Sequence, residues 1–201
     1  MPTASQSLDL DDYAGSGIEF FALQRDHAGG TISGTAGNDV FSASGWTVTL
    51  DGGAGNDRLS GADGSSEIFI GGLGTDIMDS GPKDFGPPWW GQHSGRDRFV
   101  FRDIAESTVG EGRDIIHNFA LDGTDWIDLR GIDANTARSG NKAFTLSDGD
   151  FTGEAGQLRL QSTPTYQLVS GDVNGDGTPD FEIEVHLQGP NRPLTAIDFF
   201  L

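Results

Sequence analysis

The chain has 201 residues, 31 of them glycine, and its 31 acidic against 12 basic side chains give a formal net charge of −19. That charge excludes nucleic acid as a partner, because phosphates require a basic surface. So acidic a chain is disordered unless its charge meets a cation, and 13 Phe and 4 Trp residues favour an ordered, cation-bound protein. It has no Cys, so an extracellular form needs a staple other than disulfides, such as a metal ion.

The N-terminal residues 1–30 precede the repeats described below. Residues 1–17 have neither a basic start nor an apolar core, so they are not typical of a cleavable signal peptide. No stretch of the sequence has the length of a membrane span. We expect residues 1–30 to be a capping segment, with a capping strand at 18–23.

An apolar residue recurs every nine positions along the next part of the chain. The predicted ladder consists of Leu23, Ile32, Phe41, Leu50, Leu59 and Ile68, then Met78, Trp89 or Trp90, and Phe99. No helix has this period, whereas a chain that makes one short strand and one turn in every nine residues does. The ladder predicts a flattened parallel coil with two nonamers in each turn.

A Gly-rich loop that ends in Asp recurs at about twice that period. Its copies are GTAGND (34–39), GGAGND (52–57), GGLGTD (71–76) and QHSGRD (92–97), which end in Asp39, Asp57, Asp76 and Asp97. We expect these four loops to stack along one edge of the coil. The loops at 43–48 and 61–66 then lie on the other edge, with Val48 and Ser66 in the Asp position.

The stacked carboxylates predict a cation. Stacked strands are about 4.8 Å apart, so the four Asp side chains repel one another unless a positive ion lies between them. Glycine lets the loops turn carbonyl oxygens inward, and calcium accepts six to eight oxygen ligands in irregular cages. The alternative, that Gly-Asn-Asp simply makes good turns, explains one copy but not several in phase with an apolar ladder. The edge with Val48 and Ser66 has no charge to balance a cation and is predicted to bind none.

These loops resemble the GGxGxDxUx repeat of the RTX, or haemolysin-type, calcium-binding family. The resemblance implies Ca²⁺ between successive loops, held by carbonyl oxygens and Asp side chains. The implied ligands are Thr35, Gly37 and Asp39 with Gly52, Ala54 and Asp57 for a first site, Gly53, Gly55 and Asp57 with Gly71, Leu73 and Asp76 for a second, and Gly72, Gly74 and Asp76 with Gln92, Ser94 and Asp97 for a third.

The segments 114–132, 143–160, 170–185 and 194–201 resemble the C-terminal domain of serralysin-type metalloproteases. Asn118 stands where that family has Asp. The resemblance covers about residues 31–201 and implies an all-β protein, with a short parallel RTX β-roll at 31–101 and a β-sandwich-like domain at 102–201. It also implies a further calcium site at the end of the roll, which Asp84 and Asp125 would cap.

The loop at 172–180 has the alternating oxygen ligands that open an EF-hand calcium loop. These candidate ligands are Asp172, Asn174, Asp176, Thr178 and Asp180. The twelfth position, however, is Ile183 instead of the bidentate Glu that completes such a loop. Two interpretations stay open, a weak calcium loop and a polar hairpin turn.

The last residues, 197–201, are an acid followed by an apolar run. They resemble the uncleaved type I secretion signal of serralysins and other RTX exoproteins, which implies the type I secretion apparatus as a partner and an extracellular location. A terminal strand within the sheet is compatible with that role, because the apparatus reads the chain before it folds.

The sequence contains no recognisable catalytic motif. None of the four His residues is followed by Glu, so there is no H-E-x-x-H zinc motif, and no G-x-S-x-G elbow or Cys nucleophile is present. We therefore expect no enzyme activity, and predict a secreted module whose calcium binding drives folding outside the cell. The alternatives are a polysaccharide-binding module, like the repeats of alginate epimerases, and the tail of a larger exoenzyme such as a serralysin protease.

Trp46, Trp89 and Trp90 are predicted on the edge opposite the Asp loops. They either bind a polysaccharide or cell-surface partner or pack over the turns of the roll. The net charge of −19 counts against an acidic polymer as the ligand.

Overall fold

A computed structural model describes residues 7–9, 19–22, 30–43, 47–62, 65–81, 95–121, 123–189 and 192–201. These ranges form β-strands joined by loops and short 3-10 turns, which confirms the predicted all-β fold. No helix within them has the length and apolar character needed to cross a bilayer.

The described strands form two sheets. In chain order they are β1 (Ser7–Asp9), β2 (Glu19–Ala22), β3 (Thr31–Ser33), β4 (Asp39–Ser42), β5 (Thr49–Ala54), β6 (Arg58–Ser60), β7 (Ile68–Leu73), β8 (Ile77–Asp79), β9 (Arg98–Val100), β10 (Asp114–Ala120), β11 (Trp126–Asp128), β12 (Thr145–Ser147), β13 (Gln157–Ser162), β14 (Gln167–Asp172), β15 (Phe181–Gln188) and β16 (Phe199–Phe200). A seven-stranded sheet has the order β1-β3-β5-β7-β9-β11-β16, and a nine-stranded sheet has the order β12-β13-β14-β15-β10-β8-β6-β4-β2.

The first eleven strands are a flattened parallel coil, because successive strands alternate between the two sheets. Ile32 lies beside Leu50 and Leu50 beside Phe69, so one full turn takes 18 and then 19 residues. Side chains alternate along each strand, and the inward set meets the other sheet. The predicted β-roll is confirmed.

The inward side chains form a continuous core ladder with one correction to the sequence prediction. Its described rungs are Ile32, Phe41, Leu50, Leu59, Phe69, Met78, Phe99, Ile116 and Ile127, all at most 1% exposed. The predicted rung Ile68 is only half-buried, and Phe69 occupies the position instead. The turn before β7 has one residue more than a strict nonamer allows, and a shift of one residue moves a strand side chain to the opposite face.

The registers make Met78 and Phe99 consecutive rungs, because β9 lies directly beside β7 in the seven-stranded sheet. The described strands β8 and β9 therefore belong to different sheets. The rung predicted between them, Trp89 or Trp90, and the first rung, Leu23, lie outside the described residues.

The C-terminal half extends both sheets of the roll. β10 pairs with β8 and β11 with β9, both in parallel. Beyond β10 the nine-stranded sheet changes character, since β15 is parallel to β10 but β14 and β13 follow as an antiparallel meander. The C-terminal strand β16 pairs with β11 at the edge of the other sheet.

Asn118 has a local structural role. Its φ of 60° lies in the left-handed region, which Asn tolerates better than most residues, and the pairing of β10 with β15 shifts register there. Its side-chain Nδ2 donates to Asp79 Oδ1 at 2.7 Å on the neighbouring strand.

The corrected ladder predicts unequal effects for two adjacent residues. Phe69→Ala should lower the free energy of unfolding by about 3–5 kcal/mol, because it empties a buried site. Ile68→Ala, the matched control, should cost much less, because Ile68 lies on the outer face of the sheet. Urea unfolding at saturating calcium measures both, and a larger loss for Ile68→Ala would contradict this register.

Candidate metal centre

Four Asp side chains form a ladder along one edge of the roll. Asp39, Asp57, Asp76 and Asp114 each begin or immediately precede a strand of the nine-stranded sheet, and each is at most 2% exposed. The Asp39 N–H donates to Asp57 Oδ1, the Asp57 N–H to Asp76 Oδ1 and the Asp76 N–H to Asp114 Oδ1, all at 2.8 Å. We call these four residues the first acid ladder.

The second carboxylate oxygen of three ladder members has no hydrogen-bond donor within the described part of the chain. These buried atoms are Oδ2 of Asp57, Asp76 and Asp114. A buried anionic oxygen without a donor costs free energy unless a cation meets it. In contrast, Asp39 Oδ2 accepts from the Thr35 N–H at 2.7 Å and the Thr35 hydroxyl at 3.1 Å.

Glycines bring these oxygens close to the next loop. A Cβ atom on Gly52 would collide with Asp57 Oδ2 and would lie 2.6 Å from the Gly71 carbonyl oxygen. Equivalent clashes occur at Gly34 with the Gly52 carbonyl and Asp39, and at Gly71 with Asp76. Carboxylate oxygens therefore come close to the first glycine of each loop, and at Gly34 and Gly52 a carbonyl oxygen of the next loop does so as well.

Further carbonyl groups point from each loop toward the glycines of the next. A Cβ on Gly53 would collide with the Thr35 carbonyl and one on Gly55 with the Gly37 carbonyl. One turn later, Cβ atoms on Gly72 and Gly74 would meet the carbonyls of Gly53 and Gly55. The structure thus directs six of the carbonyls predicted for the first two sites into the spaces between loops, namely those of Thr35, Gly37, Gly52, Gly53, Gly55 and Gly71.

The other two predicted carbonyls belong to Ala54 and Leu73, which lie opposite each other at the ends of β5 and β7. The Leu73 carbonyl accepts from the Gly55 N–H at 2.8 Å, and the Thr35 carbonyl from the Ala54 N–H at 3.0 Å. A carbonyl oxygen has two lone pairs, so the carbonyls of Leu73 and Thr35 each keep one lone pair for a cation.

Burial and mutual repulsion perturb the first acid ladder. Burial, with the neighbouring charges of Asp76 and Asp39, raises the pKa of Asp57 to about 8. Burial and the charge of Glu106 raise the pKa of Asp76 to about 6, and burial with the charge of Asp76 raises that of Asp114 to about 9. These are the shifts expected of carboxylates packed together without a compensating cation.

The third predicted site needs correction. Asp97 precedes β9, a strand of the seven-stranded sheet, so it lies at the edge opposite Asp76 and cannot share an ion with it. Asp114 stands in its place as the neighbour of Asp76. The edge differs from the predicted one because β8 and β9, the described strands on either side of residues 82–94, belong to different sheets. The other predicted partners, Gln92 and Ser94, lie outside the described residues, whereas Gly72 and Gly74 lie in the loop that ends in Asp76.

The segment before Asp114 closes this end of the ladder. The Ser107 hydroxyl accepts from the Asp114 N–H at 2.8 Å. Glu106, in the 3-10 turn Ile104–Glu106, is 6% exposed, and its carboxylate is bound by the N–H and the guanidinium of Arg102. Beside burial, the charge of Glu106 contributes to the raised pKa of both Asp76 and Asp114.

The opposite edge has an acid ladder of its own, which corrects the prediction that this edge lacks charge. Glu67, not Ser66, is the neighbour of Val48, owing to the same one-residue insertion that moved Ile68 out of the core. The Glu67 N–H donates to Asp97 Oδ1 at 2.7 Å and the Asp97 N–H to Asp125 Oδ1 at 3.0 Å. We call Glu67, Asp97 and Asp125 the second acid ladder, and all three are at most 1% exposed.

Asp125 ends the second ladder, and its Oδ2 accepts from the Ala120 N–H at 2.8 Å. The resemblance implied that Asp125 acts with Asp84. The structure brings Asp125 beside Asp97, while Asp84 lies outside the described residues.

A sequence pattern identifies the ladder members that were missed. Each of the seven acids stands two residues before a core rung, as in Asp57 before Leu59, Glu67 before Phe69 and Asp114 before Ile116. This pattern does not depend on glycines, so it finds Glu67 and Asp114, whose preceding loops have lost the glycine repeat.

The predicted loop at 172–180 is the connection between β14 and β15. Asp172 is fully buried and accepts from the N–H groups of Gly175 and Gly177 at 2.6 and 2.9 Å. Asp180 Oδ2 accepts from the Val173 N–H at 2.7 Å, and Asp176 Oδ1 from the Thr178 N–H at 2.8 Å. Asn174 Oδ1 accepts from the Asp176 N–H at 2.8 Å. The loop is thus a hairpin stabilised by its own side chains, and calcium binding there stays a prediction.

The structure describes the predicted C-terminal segment but not the three predicted tryptophans. The terminal residues form the 3-10 turn Ala196–Asp198 and β16, and the fully buried Asp198 pairs with Arg192 at 2.9 and 3.0 Å. Trp46, Trp89 and Trp90 lie outside the described residues.

Among the described residues, no group of three or more His, Cys, Asp or Glu side chains is arranged to hold a metal ion. The arrangement between the loops 34–39, 52–57 and 71–76 is of another kind, with two carboxylates and several carbonyl oxygens in each of the two spaces. Oxygen-only donor sets of this kind suit hard cations such as calcium, whereas zinc and copper prefer nitrogen and sulfur.

Comparison with known proteins agrees with this description. Residues 30–201 match the family model for the Peptidase M10 serralysin C terminal, so the chain belongs to that family. The resemblance seen in the sequence is thereby confirmed. No curated protein matches the chain significantly. A solved structure that resembles it is the AlgE6R3 subunit of the mannuronan C5-epimerase from Azotobacter vinelandii, with 17% sequence identity, a TM-score of 0.42, and coverage of 92% of this chain and 78% of that one.

The oxygen-lined space at Gly52 predicts a specific effect of substitution. Gly52→Ala should abolish calcium-induced folding, because its Cβ fills the space between Asp57 Oδ2 and the Gly71 carbonyl. Gly149→Ala is the matched control, since its Cβ meets nothing within 4 Å. Circular dichroism during a calcium titration reports the result. A normal titration for Gly52→Ala would contradict the assignment.

The raised pKa values predict how pH acts on the calcium-free protein. Asp57, Asp76 and Asp114 have folded-state pKa values of about 8, 6 and 9, above the value of about 3.9 in an unfolded chain. Their contribution is therefore complete below about pH 4 and is lost as the pH rises through about 6 to 9. With chelator present, the fold should be more stable at about pH 5 than at about pH 9.

Urea unfolding across that range measures the effect. Asp128 and Glu184 have lowered pKa values owing to Arg130 and to His186 and Arg113, so they act in the opposite direction but only below about pH 4. Burial and the charge of His186 lower the pKa of His117, which therefore also acts in the opposite direction, up to about pH 6.5, but as one group against three. Stability that rises with pH between about 5 and 9 would be the contrary result.

Proposed function

We propose that this protein is a calcium-binding β-roll module that completes its folding when calcium enters the two acid ladders. The observation that carries the proposal is the set of buried Oδ2 atoms of Asp57, Asp76 and Asp114, which lack donors within the described residues. Carbonyl oxygens of neighbouring loops lie close to the glycines beside Asp57. A divalent cation supplies the charge compensation that these oxygens need.

At the first acid ladder, the residues that would hold calcium form three successive sets. The first two are those implied by the resemblance, with Asp39 and Asp57 and then with Asp57 and Asp76. The third would use Gly72, Gly74 and Asp76 with Asp114, and Glu106 would add charge nearby. Asp57 and Asp76 each serve two neighbouring sets.

The second acid ladder supports calcium binding at the opposite edge as well. Glu67 with Asp97, and Asp97 with Asp125, provide two carboxylates for each space. The space between Val48 and Glu67 has a single carboxylate and is the weaker candidate. This proposal replaces the earlier expectation that only one edge binds ions.

The place of action that fits this chemistry is extracellular. Calcium sites of extracellular modules bind at about 10⁻⁴–10⁻³ M, so they stay empty in the cytosol and fill outside. The module would leave the cell unfolded through a type I apparatus that recognises residues 197–201, and would fold once calcium is plentiful. The pairing of β16 with β11 then belongs to the folded state after export.

A second candidate function is supported by the family match. The matched model describes the C-terminal part of serralysins, so the module would serve as the non-catalytic part of an exoenzyme. In both candidate functions calcium drives the folding of the module, and neither assigns a catalytic residue to this chain.

The decisive experiment compares the calcium responses of variants in which one ladder carboxylate is replaced by an uncharged amide. Asp57→Asn keeps an Oδ1 acceptor for the Asp39 N–H but removes a buried charge. Without calcium it should be at least as stable as the parent at about pH 8, whereas calcium should stabilise it less. Asp39→Asn should lose less of the calcium response, because Asp39 belongs to one set of ligands only.

The matched control is Asp148→Asn on an exposed loop, which should leave the calcium response unchanged. Circular dichroism and calorimetric titration with calcium measure folding and binding together. A parent protein that folds cooperatively in excess chelator, with no further stabilisation by calcium, would refute the proposed function.

A further inference from the structure

Two histidines lie side by side on the outer face of the nine-stranded sheet. Ile116 of β10 and Val185 of β15 are register partners that point into the core, so His117 and His186, the next residue on each strand, point outward. The centres of their imidazole rings are 4.6 Å apart, and the ring planes are inclined by 33°. Both side chains are partly exposed, so an ion from the solvent reaches them. We call His117 and His186 the histidine pair.

A carboxylate orients one member of the histidine pair. His186 Nε2 lies 2.8 Å from Glu184 Oε1, and the other oxygen of Glu184 accepts from the Arg113 Nε and Nη2, both at 3.0 Å. Because an ionised carboxylate only accepts hydrogen bonds, Nε2 of a neutral His186 carries the proton and Nδ1 keeps its lone pair. A carboxylate bound to one ring nitrogen is the usual support of an imidazole that binds a metal ion through the other.

The other member, His117, has a free ring in a field that favours cations. No described residue makes a hydrogen bond to its ring nitrogens. Burial and the charge of His186 lower the pKa of His117, so its ring is neutral at pH 7 and retains a lone pair. The carboxylates of Asp79, its register partner on β8, and of Glu184 act on this ring against the single guanidinium of Arg58.

We propose that the histidine pair binds a divalent transition-metal ion, with Cu²⁺ as the best fit. Imidazole is a preferred ligand of Zn²⁺, Ni²⁺ and Cu²⁺, and Cu²⁺ has the highest affinity of the three. At metal–nitrogen distances of about 2.0–2.1 Å, two rings on one ion have centres about 4.5 Å apart at a right angle and about 5.2 Å apart at a tetrahedral angle. The observed 4.6 Å is close to the right angle of square-planar Cu²⁺.

The histidine pair differs from the acid ladders in its donors. It offers nitrogen atoms, whereas calcium takes oxygen ligands, so Cu²⁺ and calcium have separate sites. Two histidines leave the remaining positions of the ion to water, so this is an open site. The pair forms only when β10 and β15 align, and the inference goes beyond the proposed function because it needs the folded sheet but no ligand of calcium. A bound ion would link β10, which continues the roll, to β15 of the meander.

The experiment adds Cu²⁺ to the calcium-saturated full chain, whose circular dichroism shows the folded state. Substoichiometric Cu²⁺ should broaden the ring resonances of His117 and His186 in NMR spectra before that of the Trp126 indole, because a paramagnetic ion acts on nearby nuclei. Folded protein whose two histidine signals stay sharp would overturn the inference but leave the calcium function intact. Release of calcium by stoichiometric Cu²⁺ would also overturn it, because the ion would then occupy the acid ladders.

Matched variants identify the ligands. His117→Gln and His186→Gln should each weaken Cu²⁺ binding at least about tenfold in calorimetric titrations, and Glu184→Gln about tenfold through the loss of support for His186. The controls are His27→Gln and His93→Gln, at the other two histidines of the chain, which should leave the affinity unchanged. Affinity that falls in a control but not in His117→Gln would refute the assignment. If His117→Gln does not fold, the NMR spectra of the parent protein decide.

Discussion

The hydrogen bond from a backbone N–H to the carboxylate of the next coil is the interaction on which the rest of this structure depends. It joins Asp39 to Asp57 and Asp57 to Asp76 on one edge, and Glu67 to Asp97 on the other. Each such bond uses one carboxylate oxygen to fix the register between turns. Because the acid stands two residues before a core rung, the same bond also aligns the apolar ladder. Edge and core are therefore in register with each other.

The core and the edges of the roll have opposite effects on the stability of the fold. Inside the roll, aromatic rungs pack as in any core, with the rings of Phe69 and Phe99 stacked at a centroid distance of 4.9 Å. At the edges, burial brings like charges together, which is why the pKa values of Asp57 and Asp114 rise to about 8 and 9. The core supplies stabilisation that does not depend on ions. The edges oppose it unless a cation compensates their charge, and this opposition is the basis on which the proposed function gives calcium control over folding.

The sequence predicted the roll because its two periods are strong and regular. The prediction was wrong where the spacing of the residues departs from those periods. One extra residue before β7 exchanged Ile68 for Phe69 in the core and Ser66 for Glu67 at the edge. The sequence spacing between β8 and β9 does not determine whether the two strands belong to the same sheet, so Asp97 was predicted on the wrong edge. Only strand pairing decides that parity, because motif spacing constrains it weakly once an insertion intervenes.

The C-terminal half supplies the last acid of each ladder of the roll. Asp114 is the last acid of the first ladder, and the Ser107 hydroxyl accepts its N–H. Asp125 is the last acid of the second ladder, and its Oδ2 accepts from the Ala120 N–H. Both terminal acids and their partners come from beyond residue 101, where both sheets continue without a break. A roll cut at that residue would expose Asp76 and Asp97 without their neighbours. This explains in physical terms why a single family model spans residues 30–201.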